Sequence, residues 1–174
     1  MKRLALLAVV LLAAGCGSTK TVTVTNTVTT TVTTTQAGLA ACNGSDLSGT
    51  FDVQPGSAGA GQITYVLKLT NTSASACALK IISEQLLDAK GADMPTHGDV
   101  PVLPVRLGAQ ATLSFDARFS PDVNGVGDNT NGQCEPTSST LRLAVGVDTV
   151  DVPIKPPTPV CEQGSLTLTP TRAP

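Results

Sequence analysis

At Ile63, Tyr65, Leu67 and Leu69 every second residue is large and apolar, with Thr64, Lys68 and Thr70 between them. Side chains two apart on an extended chain share a face, so this stretch buries its apolar side only as a strand packed on a second layer. Val66 breaks the polar set mildly, as suits a central strand with both faces partly covered. Asn71-Thr72-Ser73 follows, with side chains that hydrogen-bond their own backbone and favour turns. Cys77, Leu79 and Ile81 then alternate again, so strand, turn, cysteine and return strand read as one unit.

The pattern recurs along the chain. Leu47, Phe51 and Val53 predict a first strand closed by Gln54-Pro55-Gly56. Leu86 and Leu87 lead into a hairpin turn at residues 88–91 with Gly91 at positive φ, and residues 84–89 are the one place where a helical turn is tolerated. Residues 94–104 carry three prolines and read as an edge or a loop. After a tight turn at residues 107–110, Ala111, Leu113, Phe115, Ala117 and Phe119 alternate without a break. Residues 121–137 are polar and rich in turn formers. Leu141, Leu143, Val145 and Val147, then Val150, Val152 and Ile154, predict two strands joined by a turn near residues 146–149. Residues 155–159 read as a stiff extended connector, and Leu166 and Leu168 as a last short strand. Seven to nine short strands, with no segment of helical period, predict an all-β, immunoglobulin-like β-sandwich. With no Trp, one Tyr and three Phe, its core has to come from Leu, Ile, Val and those four rings.

The first 40 residues have another character. Met1-Lys2-Arg3 is a short positive segment and residues 4–14 are apolar. Eleven helical residues span about 16 Å, short of the ~30 Å bilayer core, so residues 1–15 read as a signal peptide and not as a membrane span. The run ends in Leu12-Ala13-Ala14-Gly15-Cys16, which resembles the lipobox of bacterial lipoproteins, with Ala13 where Leu is preferred. That resemblance implies acylation of Cys16, palmitate-type chains holding the protein to the membrane. Residues 19–35 are almost entirely Thr and Val. A low-complexity ribbon without turn or partner buries too little to offset its ordering, so residues 16–40 are expected to be a lipidated tether. The sandwich is expected over residues 41–169, with residues 170–174 as a tail.

Charge removes one class of partner. The chain holds 11 basic and 13 acidic residues, and without Lys2 and Arg3 the exported part is nine against thirteen. No basic block appears, so no electrostatic footprint for nucleic acid is present.

Cys16 leaves four cysteines, Cys42, Cys77, Cys134 and Cys161, which outside the cytoplasm are expected to be oxidised. Four cysteines allow three pairings and spacing alone does not choose; sequence order favours Cys42 with Cys77 and Cys134 with Cys161. A zinc site is set aside, since no C-x-x-C pair exists and His97 is the sole histidine.

A family resemblance joins these pieces. Cys42-x-x-x-Asp46-Leu47, Ala58-Gly59 before the apolar strand ending Leu69-Thr70-Asn71-Thr72-Ser73, and Cys77-Ala78-Leu79 resemble an uncharacterised bacterial domain. This is domain-of-unknown-function family 4232, found on exported and lipid-anchored proteins of actinobacteria. The step from Leu107 to Ala111 and the later cysteines Cys134 and Cys161 fit as well. The chain departs from it at Lys80-Ile81-Ile82, where the family has a Gly-x-Pro step, and in lacking a tryptophan, for which Phe115 is the nearest substitute. The resemblance implies the sandwich and supports the cysteine pairing. It implies no activity.

Candidate chemistry is sparse. His97 lies in a loop with Asp99 nearby but no serine on a strained elbow, which argues against a hydrolytic triad. Met94 and His97 are too few soft ligands for copper. Asp122, Asn124 and Asp128, set among glycines, offer hard oxygens of the kind calcium takes, but Gln133 stands where an EF-hand loop needs a bidentate Glu. A mobile, turn-rich loop is the plainer reading of that segment. Sugar platforms need exposed rings, which the core requires here.

The expectation is therefore a lipid-anchored protein on the extracytoplasmic face of the cell membrane, not an enzyme, with no catalytic residue and no cofactor. Its expected partners are the bilayer, through acylated Cys16, and an envelope protein. The alternative is a carrier of a small ligand or of calcium.

Overall fold

A computed structural model describes residues 38–101, 104–131 and 133–171. The signal peptide, Cys16 and nearly all of the tether lie outside the described residues. Ten strands follow in order: β1 (Leu47–Val53), β2 (Ile63–Asn71), β3 (Cys77–Leu79), β4 (Ile81–Leu87), β5 (His97–Asp99), β6 (Val105–Leu107), β7 (Thr112–Phe119), β8 (Ser138–Val145), β9 (Asp148–Thr158) and β10 (Ser165–Pro170). Eight form one continuous order, β4-β8-β9-β1-β2-β7-β10-β5, while β3 and β6 make a small separate sheet. The fold is an all-β sandwich.

The alternation sets the layers. On β2, Tyr65, Leu67 and Leu69 are buried; β1 contributes Phe51 from one side and β7 contributes Phe115, Ala117 and Phe119 from the other. The facing layer supplies Leu141, Leu143 and Val145 from β8 and Val150, Val152 and Ile154 from β9. All four aromatic rings are buried. Tyr65 lies 5.2 Å from both Phe51 and Phe119, ring to ring, and its hydroxyl donates to the Pro156 carbonyl at 2.8 Å. This gives the one polar atom of the cluster a partner, as buried hydroxyls require.

Several expectations need correction. The segment after Asn71 is not a return strand beside β2, because β1 and β7 already occupy both edges of β2. Instead β3 pairs with β6, and β4 crosses to pair with β8. Asn71 is the buried last residue of β2 and directs that departure: its amide donates to the Ser75 and Gly108 carbonyls, and its oxygen accepts from Ser73. The tolerated helical turn at residues 84–89 is strand up to Leu87, held by the β8 ladder from Leu143 to Thr140. Residues 155–158 are not a free connector but the end of β9. The ladder to β1 uses Ile154 and Lys155, so the missing N–H groups of Pro156 and Pro157 fall outside it. Val147 belongs to the β8–β9 turn and is fully exposed.

The two outermost strands of the eight-strand order, β4 and β5, lie side by side. The Leu86 N–H donates to Thr96 Oγ1 at 2.8 Å, and Gln85 Nε2 donates to the Met94 carbonyl at 2.6 Å and to Thr96 Oγ1 at 3.1 Å. Side chains thus take over where strand pairing stops.

The sandwich has two unlike ends. At one, the chain enters through Ala40 and Cys42, which exchange backbone hydrogen bonds with Ala78, and the β8–β9 turn lies alongside. A Cβ on Gly146 would sit 3.3 Å from the Cys42 carbonyl oxygen. The Cys42–Cys77 disulfide closes this end, with Cα atoms 5.0 Å apart. At the other end lie the β7–β8 loop, the β9–β10 turn and the second disulfide, Cys134–Cys161, with Cα atoms 5.3 Å apart. The two bonds follow the pairing that sequence order favours.

Candidate functional site

The far end is built around a short left-handed turn. Glu162, Gln163 and Gly164 all have positive φ, at 56°, 57° and 77°. For residues with a Cβ this conformation costs roughly 1–2 kcal/mol each, so it persists only where something holds it. Asp128 does so. Its Oδ2 accepts the N–H groups of Glu162 and Gly125, and its Oδ1 accepts that of Gln163, each at 2.7 Å. Consecutive N–H groups in a left-handed turn form a small anion-binding concavity, and here the anion is the protein's own carboxylate. The three N–H donors, Gly125 foremost, hold the Asp128 carboxyl below the usual carboxylate range.

Gly125 and Gly127 now have a packing reason. A Cβ on Gly125 would lie 2.6 Å from Glu162 Cγ, and one on Gly127 would lie 2.1 Å from Gln163 Nε2. The loop lies directly on the turn. The Asn129 N–H donates to the Cys134 carbonyl at 3.1 Å, the Asn124 amide donates to the Asn129 carbonyl, and the Cys161 N–H donates to the Ser120 carbonyl at 2.8 Å. With the disulfide, these bonds make the expected mobile loop a latched one.

An open cleft of about 530 Å³ lies beside the latch, lined in part by Asp128, Asn129, Gln133 and Glu135. Burial, and then the neighbouring Asp128 charge, push the Glu135 carboxyl up. Sequence reasoning missed Glu135 and the left-handed turn, because neither carries a local signature.

Two of the calcium candidates hold other partners. Asp128 has both oxygens committed to N–H donors, Asn124 acts as a donor, and Asp122 stands exposed where the loop begins. Among the described residues, one group of metal-ligating types is close-set, Asp128, Cys134 and Cys161, within 4.8 Å of one another. Its two sulfurs are bonded to each other, so they offer no thiolate. Met94 and His97 also part company. Met94 is buried, with its sulfur 3.6 Å from the Ser138 hydroxyl, whereas His97 is exposed on β5 with Nδ1 3.2 Å from the Gln163 carbonyl oxygen. The histidine's partner is a backbone carbonyl, not a serine.

A family model described as Domain of unknown function (DUF4232) matches residues 42–172. The chain belongs to that family. The DUF4232 match takes in both disulfides, every strand and the Asp128 latch, so the latched end is part of the domain itself. Curated proteins and solved structures give no match.

One prediction concerns the latch. Asp128→Asn keeps the size but turns an amide NH₂ toward N–H donors, so the variant is expected to melt below wild type at neutral pH. A carboxylate whose folded pKa is depressed contributes stability that is fully present above the usual carboxylate range and lost as pH falls through the lower folded value. The two melting curves should therefore converge as pH drops below that range. Thermal melts of both proteins from neutral to strongly acid pH check this; a constant gap would remove the charge from the account.

Proposed function

We propose that this protein is a membrane-anchored extracytoplasmic lipoprotein whose DUF4232 sandwich is a non-enzymatic binding module of the cell envelope. Acylated Cys16 holds it, residues 17–40 join the anchor to the domain, and the latched far end meets an envelope partner. The reading is supported most by the unlike ends of the domain. The chain enters at Cys42, while the β7–β8 loop is fixed at the opposite end by the Asp128 latch and the Cys134–Cys161 bond. Fixing a surface loop in advance lowers the ordering cost of binding. Val126, almost wholly exposed between Gly125 and Gly127, is the most exposed apolar side chain of this loop. No helix among the described residues is long and apolar enough to cross a membrane.

The test has two parts. Wild type is expected in the detergent-extractable membrane fraction and Cys16→Ser in the soluble exported fraction; equal partitioning would sink the anchor. A photocrosslinking residue at position 126 of the anchored chain is expected to capture one recurrent envelope protein that the same residue at position 50, on β1, does not. Identical products from both positions would sink the binding role of the far end.

A further inference from the structure

The most exposed large aliphatic side chains do not all serve the far end. Val147, at 99% exposure, tips the β8–β9 turn, whose Gly146 lies against Cys42 and Ala41 of the entering chain. Ile81 pairs with Val145, and the irregularity after it leaves Ile82 outward at 51% exposure. Leu39, at 39%, belongs to the entering chain itself, one residue before the Ala40 carbonyl that accepts the Ala78 N–H. These three aliphatic side chains thus lie on segments that meet at the end where the tether joins. The fold does not need them there, because none of the three is buried in the core.

We propose that this end is a membrane-contact face, with Val147, Ile82 and Leu39 seated at the boundary between headgroups and acyl chains of the bilayer that holds the protein. This rests on the lipid-anchor reading above. The occupant follows from the length of chain between anchor and domain. Residues 17–37 reach at most about 75 Å however they are arranged. Confinement within that radius of a surface gives an effective concentration in the millimolar range or higher. A patch too weak to bring a free protein to a membrane is sufficient for one already tied there. Charge gives little help: Lys80 and Arg106 at this end are offset by Asp46 and Asp148. The contact is therefore apolar and insensitive to salt.

The test uses the full lipidated chain in vesicles of phosphatidylcholine and phosphatidylglycerol, with a share of the phosphatidylcholine brominated on its acyl chains. An environment-sensitive fluorophore is placed at Val147→Cys, or at Val126→Cys on the far end as the control. The position 147 probe is expected to shift to the blue and be quenched by bromolipid at low and high salt alike, and the position 126 probe to do neither. Adding Ile82→Asp to Val147→Cys should return its emission toward that of water. A chain that floats with the vesicles while its position 147 probe stays water-like overturns this inference alone. A chain that does not float overturns the anchor reading as well. Equal quenching at both positions overturns it too, as does a blue shift that follows protein density and ignores bromolipid, which would mean that a second copy covers the face.

Discussion

Gly164→Ala is expected to cost the domain about 2–5 kcal/mol, the sum of a left-handed backbone penalty and a steric one. Gly164 has φ of 77°, and a Cβ built on it would lie 1.9 Å from the Pro95 carbonyl oxygen, a backbone atom that cannot swing aside. Pro95 leads into β5, and β5 pairs with β10 directly after the turn, so relief of the clash would pull the edge strand from its neighbour. Gly91 is the control. Its φ is 80°, but nothing lies within 4 Å of a Cβ there, so Gly91→Ala should show the backbone penalty alone. Urea unfolding of the Cys16→Ser chain carrying each substitution measures both. Equal losses would mean that the approach to Pro95 does not constrain the turn.

Removing either disulfide has an effect of comparable size. The bonds close loops of 35 and 27 residues, and on the chain-entropy model each contributes roughly 3.5–4 kcal/mol. For a domain whose net stability is of order 5–15 kcal/mol, losing both is expected to unfold it. The paired serine variants should add, because the bonds sit at opposite ends without shared contacts. They should differ in a second respect. Asp128→Asn should couple with loss of Cys134–Cys161, which anchors the same turn, and be additive with loss of Cys42–Cys77. A double-mutant cycle of melting free energies decides; coupling to both bonds would show that the latch acts through the whole sandwich.

What the sequence reveals of this molecule follows the range of the interactions. The strands β2 and β7 are visible at once, because alternation is a local signal and each strand's own side chains carry it. Leu86 and Leu87 are not, since an apolar pair suits the last turn of a helix as well as a strand, and only the β8 ladder decides. The proline run at residues 156–157 reads as a connector because the β9 residues that pair with β1 lie before it and the next β8 pair, Ser138 with Thr158, lies after it. The latch is the least visible feature. Asp128 is grouped with Asp122 and Asn124 by closeness in sequence, yet two of its three donors are backbone N–H groups 34 and 35 residues away. A backbone donor has no residue type to recognise. The same glycines that suggest a ligand loop are there so that Glu162 and Gln163 fit above them.

If the protein is anchored as proposed, the way Thr96 and Gln85 finish the outer edges of β4 and β5 bears on how its copies crowd. Copies confined to two dimensions collide far more often than the same number in solution, and an open strand edge at that density is a template for fibrils. Here the Leu86 N–H is already taken by the Thr96 hydroxyl, and the Met94 N–H bonds the Leu86 carbonyl at 2.9 Å. At this edge a neighbouring molecule finds no ready ladder to extend, so in the proposed anchored layer crowded copies stay separate there.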